Sequence, residues 1–251
     1  MELEEKIELA AKWIYESNYP VIFTGAGIST DSGLPDYRGP DGVWTRRDKG
    51  LPPPKSPPWD QVHPNQGHYA ILELLKLGKL DYLIAQNVDG LHAKSGIPFD
   101  KLAELHGNMY FMKCLVCGKK LTFEEAGWDK KKWGNGYRTG IVRKNQPNCP
   151  DCGGRLISSI VNFGDPLPVD ELEESYRRSQ RSDVFFVIGS SLVVTPAAEM
   201  PGIAWRSGAK LIILNQGETP YDSEADLRFF EEIGEVLPKI VEKVKEMINS
   251  R

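Results

Sequence analysis

Five short apolar runs, each closed by a small or polar residue, constrain the fold of this chain more than any other feature. They are Val21–Thr24 before Gly25, Tyr82–Ala85 before Gln86, Ile157–Phe163 before Gly164, Val184–Ile188 before Gly189, and Leu211–Leu214 before Asn215. Runs of this length suit strands buried on both faces. Amphipathic stretches lie between most of them, at 66–77, 168–180, 196–207 and 234–248. Residues 2–17 place Leu3, Ile7, Ala10, Ala11 and Ile14 on one helical face. Strands alternating with helices predict an α/β fold with a doubly wound parallel sheet of the Rossmann-like kind.

The rhythm breaks over 114–156, where Gly, Lys, Trp and Asn are frequent and all four cysteines fall. This stretch reads as a small module inserted into a body formed by 1–113 and 157–251. Residues 39–62 are also irregular, and Pro52-Pro53-Pro54 and Pro57-Pro58 favour a non-helical loop there. A loop of that length in a compact domain is usually functional or mobile. No internal repeat is evident.

Charge and hydropathy narrow the function classes. The chain carries 31 basic and 35 acidic side chains, net −4, with no basic patch of the kind that nucleic-acid phosphates require. Lys130-Lys131-Lys132 reads as a solvated surface. Nothing approaches the ~18 consecutive apolar residues of a membrane span. The acidic start, MELEEKIELA, lacks the basic n-region of a signal peptide. The expectation is a cytoplasmic protein, monomeric, without membrane or sequence-specific nucleic-acid partners.

The cysteines form two pairs, Cys114-x-x-Cys117 and Cys149-x-x-Cys152. Paired knuckles followed by Gly118, Gly153 and Gly154 match a zinc ribbon, with redox dithiols as the other reading. Four thiolates fill a tetrahedral shell and leave no position for water, so a zinc held there is structural.

The first run leads straight into Gly25-Ala26-Gly27-Ile28-Ser29-Thr30. Two glycines one residue apart let backbone approach a pyrophosphate, although a tight turn after a buried strand needs the same residues. The third glycine of the dehydrogenase fingerprint is Thr30 here. Polar residues also collect where strands should end, at Gln86-Asn87-Val88-Asp89, Gly189-Ser190-Ser191 and Asn215. Ligands of open α/β sheets bind at such ends. Of the four histidines, His63 and His68 flank a helix start, where a surface or capping role is expected, and His92 could be structural. His106, after a helix-like segment at Phe99–Glu104, could be structural or a base.

In combination these blocks resemble the sirtuin family. GAGISTDSGLPDYR at 25–38 is similar to its NAD-binding signature. QNVDGLH at 86–92, ELHGN at 104–108, FGDPLP at 163–168, GSSLVVTPAAEMP at 189–201 and Ala225-Asp226-Leu227 follow in family order. The likeness spans roughly 20–240. DGVWT at 41–45, HGNMY at 106–110 and the proline-rich 51–58 stretch resemble the branch with a short cofactor loop that includes nuclear mammalian sirtuins. Tyr37, Ser190 and Asp165 depart from the commoner Phe, Thr and Glu.

The resemblance implies an NAD-dependent protein-lysine deacylase with one structural zinc on Cys114, Cys117, Cys149 and Cys152. Gly25, Ala26, Gly27, Thr30, Asp36, Tyr37, Arg38, Gln86, Asn87, Asp89, His106, Gly189, Ser190, Ser191 and Asn215 would contact NAD. His106 would be the general base, with Asn87 and Asp89 at the nicotinamide ribose. Val161, Phe163, Gly164 and Val193 would flank an acyl-lysine peptide added as a strand. Mono-ADP-ribosyl transfer and a non-catalytic NAD-sensing module are the alternatives.

Overall fold

A computed structural model describes residues 1–250. Its elements begin with α1 (Leu3–Glu16), β1 (Pro20–Thr24), α2 (Val43–Asp48), α3 (Gln66–Lys76), β2 (Tyr82–Ala85), α4 (Leu91–Ser95) and β3 (Leu102–Glu104). There follow β4 (Phe111–Cys114), β5 (Lys120–Thr122), α5 (Lys130–Trp133), β6 (Leu156–Ser158), α6 (Val169–Arg181) and β7 (Val184–Ile188). The chain closes with α7 (Met200–Arg206), β8 (Lys210–Leu214), β9 (Leu227–Phe229) and α8 (Ile233–Asn249).

The main sheet is six-stranded and parallel, ordered β3-β2-β1-β7-β8-β9. Strand order reverses between β1 and β7, whose carboxyl ends are Thr24 and Ile188. Every residue of β1, β2 and β7 is buried, because helices cover both faces. One face packs Ile22, Leu83, Phe186 and Ile212 under α1, α3 and α8. The other packs Phe23, Ile84, Phe185 and Ile213 under α6 and α7. In α1, Ile7 and Ile14 each bury a side chain worth ~1.5–3 kcal/mol of transfer free energy.

The second sheet, β5-β4-β6, is antiparallel and three-stranded. It corrects one expectation. Of the Ile157–Phe163 run, only Ile157 and Ser158 lie in a strand, and that strand pairs with β4 outside the main sheet. Ser158, Ser159 and Asn162 make the run too polar for a doubly covered core strand. Phe99–Glu104 is likewise not helical beyond a single 3₁₀ turn at Phe99–Lys101, since Leu102–Glu104 forms the sheet edge β3. The 39–62 loop contains the short helix α2, nucleated where the Asp36 and Tyr37 carbonyls accept the Val43 and Trp44 amides. Among the described residues, no helix is long and apolar enough to cross a membrane.

Candidate active site

A cleft of about 1550 Å³ opens at the carboxyl ends of β1, β2, β7 and β8, over the reversal in strand order. A single ligand site usually occupies ~300–1,000 Å³, so this one has room for two extended ligands. All the expected cofactor and peptide residues line it except Gly25, which lies beneath.

The two glycines of the loop also serve packing. A Cβ on Gly25 would sit 2.7 Å from the Gly189 carbonyl oxygen, and one on Gly27 2.8 Å from Gly189 Cα. The glycines therefore let the β1 and β7 ends touch backbone to backbone. The Gly25 and Gly27 amides donate to Ile188 and Gly189 carbonyls, and Ile28 donates to Gly25. The following turn, Ala26–Ser32, is 3₁₀. The Asn65 amide ties it down, donating to the Ile28 carbonyl at 2.7 Å and to Ser32 Oγ at 3.0 Å.

Three polar side chains meet under the cleft. Ser29 Oγ donates to Asp89 Oδ2 at 2.7 Å, and the Asn87 amide donates to both Ser29 Oγ and Asp89 Oδ2 at 3.1 Å. The Leu91 amide holds the other Asp89 oxygen at 2.9 Å. All three side chains are buried, yet Asn87 Oδ1 has no partner. A buried amide oxygen without a donor favours a ligand that brings one. Ser29 is a site residue that the sequence does not single out, because only the fold brings it to Asp89. Beside this group Ser190 Oγ donates to Gln86 Oε1 at 2.6 Å, tying the β7 end to the β2 end.

His106 follows the β3 end by two residues and lines the cleft. Its Nδ1 lies 3.0 Å from the Gln86 carbonyl, an acceptor only, so Nδ1 carries the proton and Nε2 keeps its lone pair. Burial lowers its pKa from the ordinary histidine value, and the Gln86 carbonyl bond opposes that. The ring is thus a neutral base at pH 7. His92 is different: it is buried away from the cleft, with Nε2 2.9 Å from Thr24 Oγ1 and its ring 4.9 Å from that of His68. His68 does cap, accepting the Asn65 amide, but it is fully buried and not on the surface.

The outer wall is aromatic. Tyr37 and Phe163 flank Trp44 at 5.0 and 5.7 Å between ring centroids, and the Arg38 guanidinium lies 4.6 Å over Trp44. Phe163 is 81% exposed and Val193 44%, which leaves apolar surface for a bound chain. Asp36 shapes the loop, its Oδ1 accepting the Gly39 amide at 3.1 Å, and burial raises its pKa.

The four cysteine sulfurs lie within 4.8 Å of one another. Cys114 and Cys152 are 3.4 Å apart and Cys117 and Cys149 3.7 Å, far beyond a disulfide bond. Tetrahedral Zn–S bonds of ~2.3 Å imply sulfur separations of ~3.8 Å. The donor set fits zinc. A Cβ on Gly154 would meet Cys114 Sγ at 2.7 Å, which explains the glycine after the second knuckle.

Fold and cleft define an α/β protein that takes an extended ligand at a switch point, with a thiolate metal module attached. A model of the Sir2 family matches residues 54–196. NAD-dependent protein deacetylase 1 of Pyrobaculum aerophilum is 38% identical over 97% of both chains. A solved structure of Sir2 with a p53 peptide and NAD⁺ superposes with a TM-score of 0.71 at 35% identity, covering 100% of each chain. Another, of Sir2Af2 bound to a myristoylated histone peptide, gives 0.70 at 36% identity and covers 99% of this chain and 100% of that one. The chain belongs to the Sir2 family.

Proposed function

We propose that this protein is an NAD-dependent protein-lysine deacylase. The observation that carries the reading is His106, a neutral imidazole with Nε2 free, in the same cleft as the Asn87–Ser29–Asp89 cluster. That cluster offers a carboxylate and an unpaired amide oxygen to a polar, electron-poor ring such as nicotinamide with its ribose.

In this reading the acyl carbonyl oxygen bonds to C1′ of the nicotinamide ribose as the C1′–N bond breaks, and nicotinamide leaves with the electron pair. His106 Nε2 then takes a proton from a ribose hydroxyl, which attacks the acyl carbon. Water completes the release of free lysine and O-acyl-ADP-ribose. Ala26, Gly27, Thr30, Ser190, Ser191 and Asn215 border the rest of the dinucleotide, with Gly25 packed beneath them, while Asp36, Tyr37 and Arg38 close over it. The peptide lies between Val161–Gly164 and Val193. Cys114, Cys117, Cys149 and Cys152 hold one zinc that folds the 114–156 module and takes no part in the chemistry. The setting is cytoplasmic and reducing, in keeping with cysteines gathered as metal ligands.

The test is to combine protein, NAD and an acetyl-lysine peptide and follow products by mass spectrometry. Nicotinamide, deacetylated peptide and O-acetyl-ADP-ribose in equal amounts are expected. ADP-ribosylated protein without deacetylation would overturn the reading.

A further inference from the structure

Glu104, which ends β3, is 3% exposed and sits two residues before His106. Its Oε1 accepts the Asn108 side-chain amide at 2.6 Å, so one hydrogen bond spans the His106–Gly107 turn from residue i to i+4. Asn108 is itself anchored. Its backbone amide donates to Ser159 Oγ at 3.1 Å, Ser159 Oγ donates back to its carbonyl at 2.6 Å, and its Oδ1 accepts the Tyr110 amide at 2.9 Å. The turn is tight as well: Gly107 has φ +81°, and a Cβ there would overlap the Ser159 carbonyl. His106 therefore hangs on a bridge whose two posts are Glu104 and Asn108.

The Glu104 post reaches two other elements. Its backbone amide donates to Glu171 Oε2 on α6 at 2.8 Å. Lys120 on β5 pairs with Glu171 Oε1 at 2.5 Å and stands 3.9 Å from Glu104 Oε2, too far for a hydrogen bond. Oε2 is buried without a hydrogen-bond partner. The groups facing the carboxyl are thus Lys120, Glu171, Asn108 and, through space, Asp89. Burial pushes its pKa up to about 7, while the Asn108 bond and Lys120 pull the other way.

We infer that Glu104 is a positioning residue for His106, holding the base-bearing turn through its hydrogen bond to Asn108. The inference rests on the reading of His106 as the base. Nothing in the reaction touches Glu104 itself.

The experiment measures steady-state deacetylation and, separately, exchange of labelled nicotinamide into NAD, since bond breakage at C1′ precedes the base-dependent step. Wild type, His106→Ala, Glu104→Ala, Glu104→Gln, Asn108→Ala and the Glu104→Ala/Asn108→Ala double variant are compared. Glu104→Ala should lower kcat by at least about tenfold, leave KM for NAD and peptide within about twofold, and retain nicotinamide exchange. Glu104→Gln keeps an acceptor oxygen and should recover most of kcat. The double variant should lose little more than either single, because both remove one bond. If Glu104→Ala does not fold, Asn108→Ala against Glu104→Gln carries the same comparison. Normal kcat in the alanine variants, or no rescue by Gln, would overturn the inference while His106→Ala stays inactive. An active His106→Ala protein would instead overturn the reading of the base.

Discussion

His106 shows how one carbonyl sets a side chain's chemistry. Parallel pairing of β2 with β3 carries the Gln86 carbonyl to Nδ1, and burial then keeps the ring unprotonated. Replacing it with Ala should cut turnover by ~10²–10⁴-fold with NAD affinity near wild type. Because the neutral form is the active one and its pKa is lowered, the acid limb of kcat/KM should have its midpoint below pH 6.5. A pH–rate profile with that midpoint above 6.5 would contradict the assignment. His68 and His92 carry a different pH signature. Burial lowers the pKa of His68 to about 4 and that of His92 well below its ordinary value, with the neighbouring His68 ring adding to the second shift. Below pH 6.5 the unfolded chain binds protons that the folded one refuses, so stability is full above 6.5 and falls toward pH 4. His68→Gln keeps the capping geometry without the titration. Urea midpoints across this window should fall less steeply for that variant than for wild type, and equal slopes would exclude His68 as a source.

At the scale of elements, what could be read from the sequence depended on how local the cause was. Val21–Thr24, Tyr82–Ala85, Val184–Ile188 and Leu211–Leu214 were legible because a strand covered on both faces must be apolar throughout. Three-residue edges such as Leu102–Glu104 and Leu227–Phe229 carry no such signature, and only their neighbours make them strands. The cysteine pairs were legible because ligand spacing is itself local. Ser29 was not, since its partner Asp89 is 60 residues away. The metal module invites a direct test. With Met112 of the flanking strand β4, its core holds little more than Leu121, Ala126, Trp128, Leu156 and the partly buried Phe123 and Trp133 besides the cysteines, so it lacks the buried area to stand alone. Cys149→Ala, or strong chelation, should release one zinc per chain, unfold the module and abolish activity. Full activity in metal-free protein would refute a structural zinc.

Across the whole molecule, charge around the cleft sets which acyl groups can enter. Asp31, Asp36, Asp89, Asp165, Glu218 and Glu232 line it, and among its described lining residues Arg38 is the only side-chain cation. Arg38 lies over Trp44, Arg46 is held by Asp41 and the Pro52 carbonyl, and Arg47 by Asp48. A succinyl carboxylate would be buried without a dedicated partner, at a cost of several kcal/mol. Each ~1.4 kcal/mol is tenfold in rate. Acetyl-lysine and longer neutral acyl-lysines should therefore exceed succinyl-lysine by on the order of 10²-fold in kcat/KM on one peptide sequence. Succinyl as the best substrate would reverse this. The contact of Gly25 and Gly27 with Gly189 has a further consequence, for how such an enzyme can change. Neither strand end can accept even one methyl group without displacing the other, so the cleft has a floor that single substitutions damage and cannot reshape. Adaptation to new acyl groups is left to the aromatic wall around Trp44 and Phe163. A selection for altered substrate range should enrich changes there and leave those three glycines untouched.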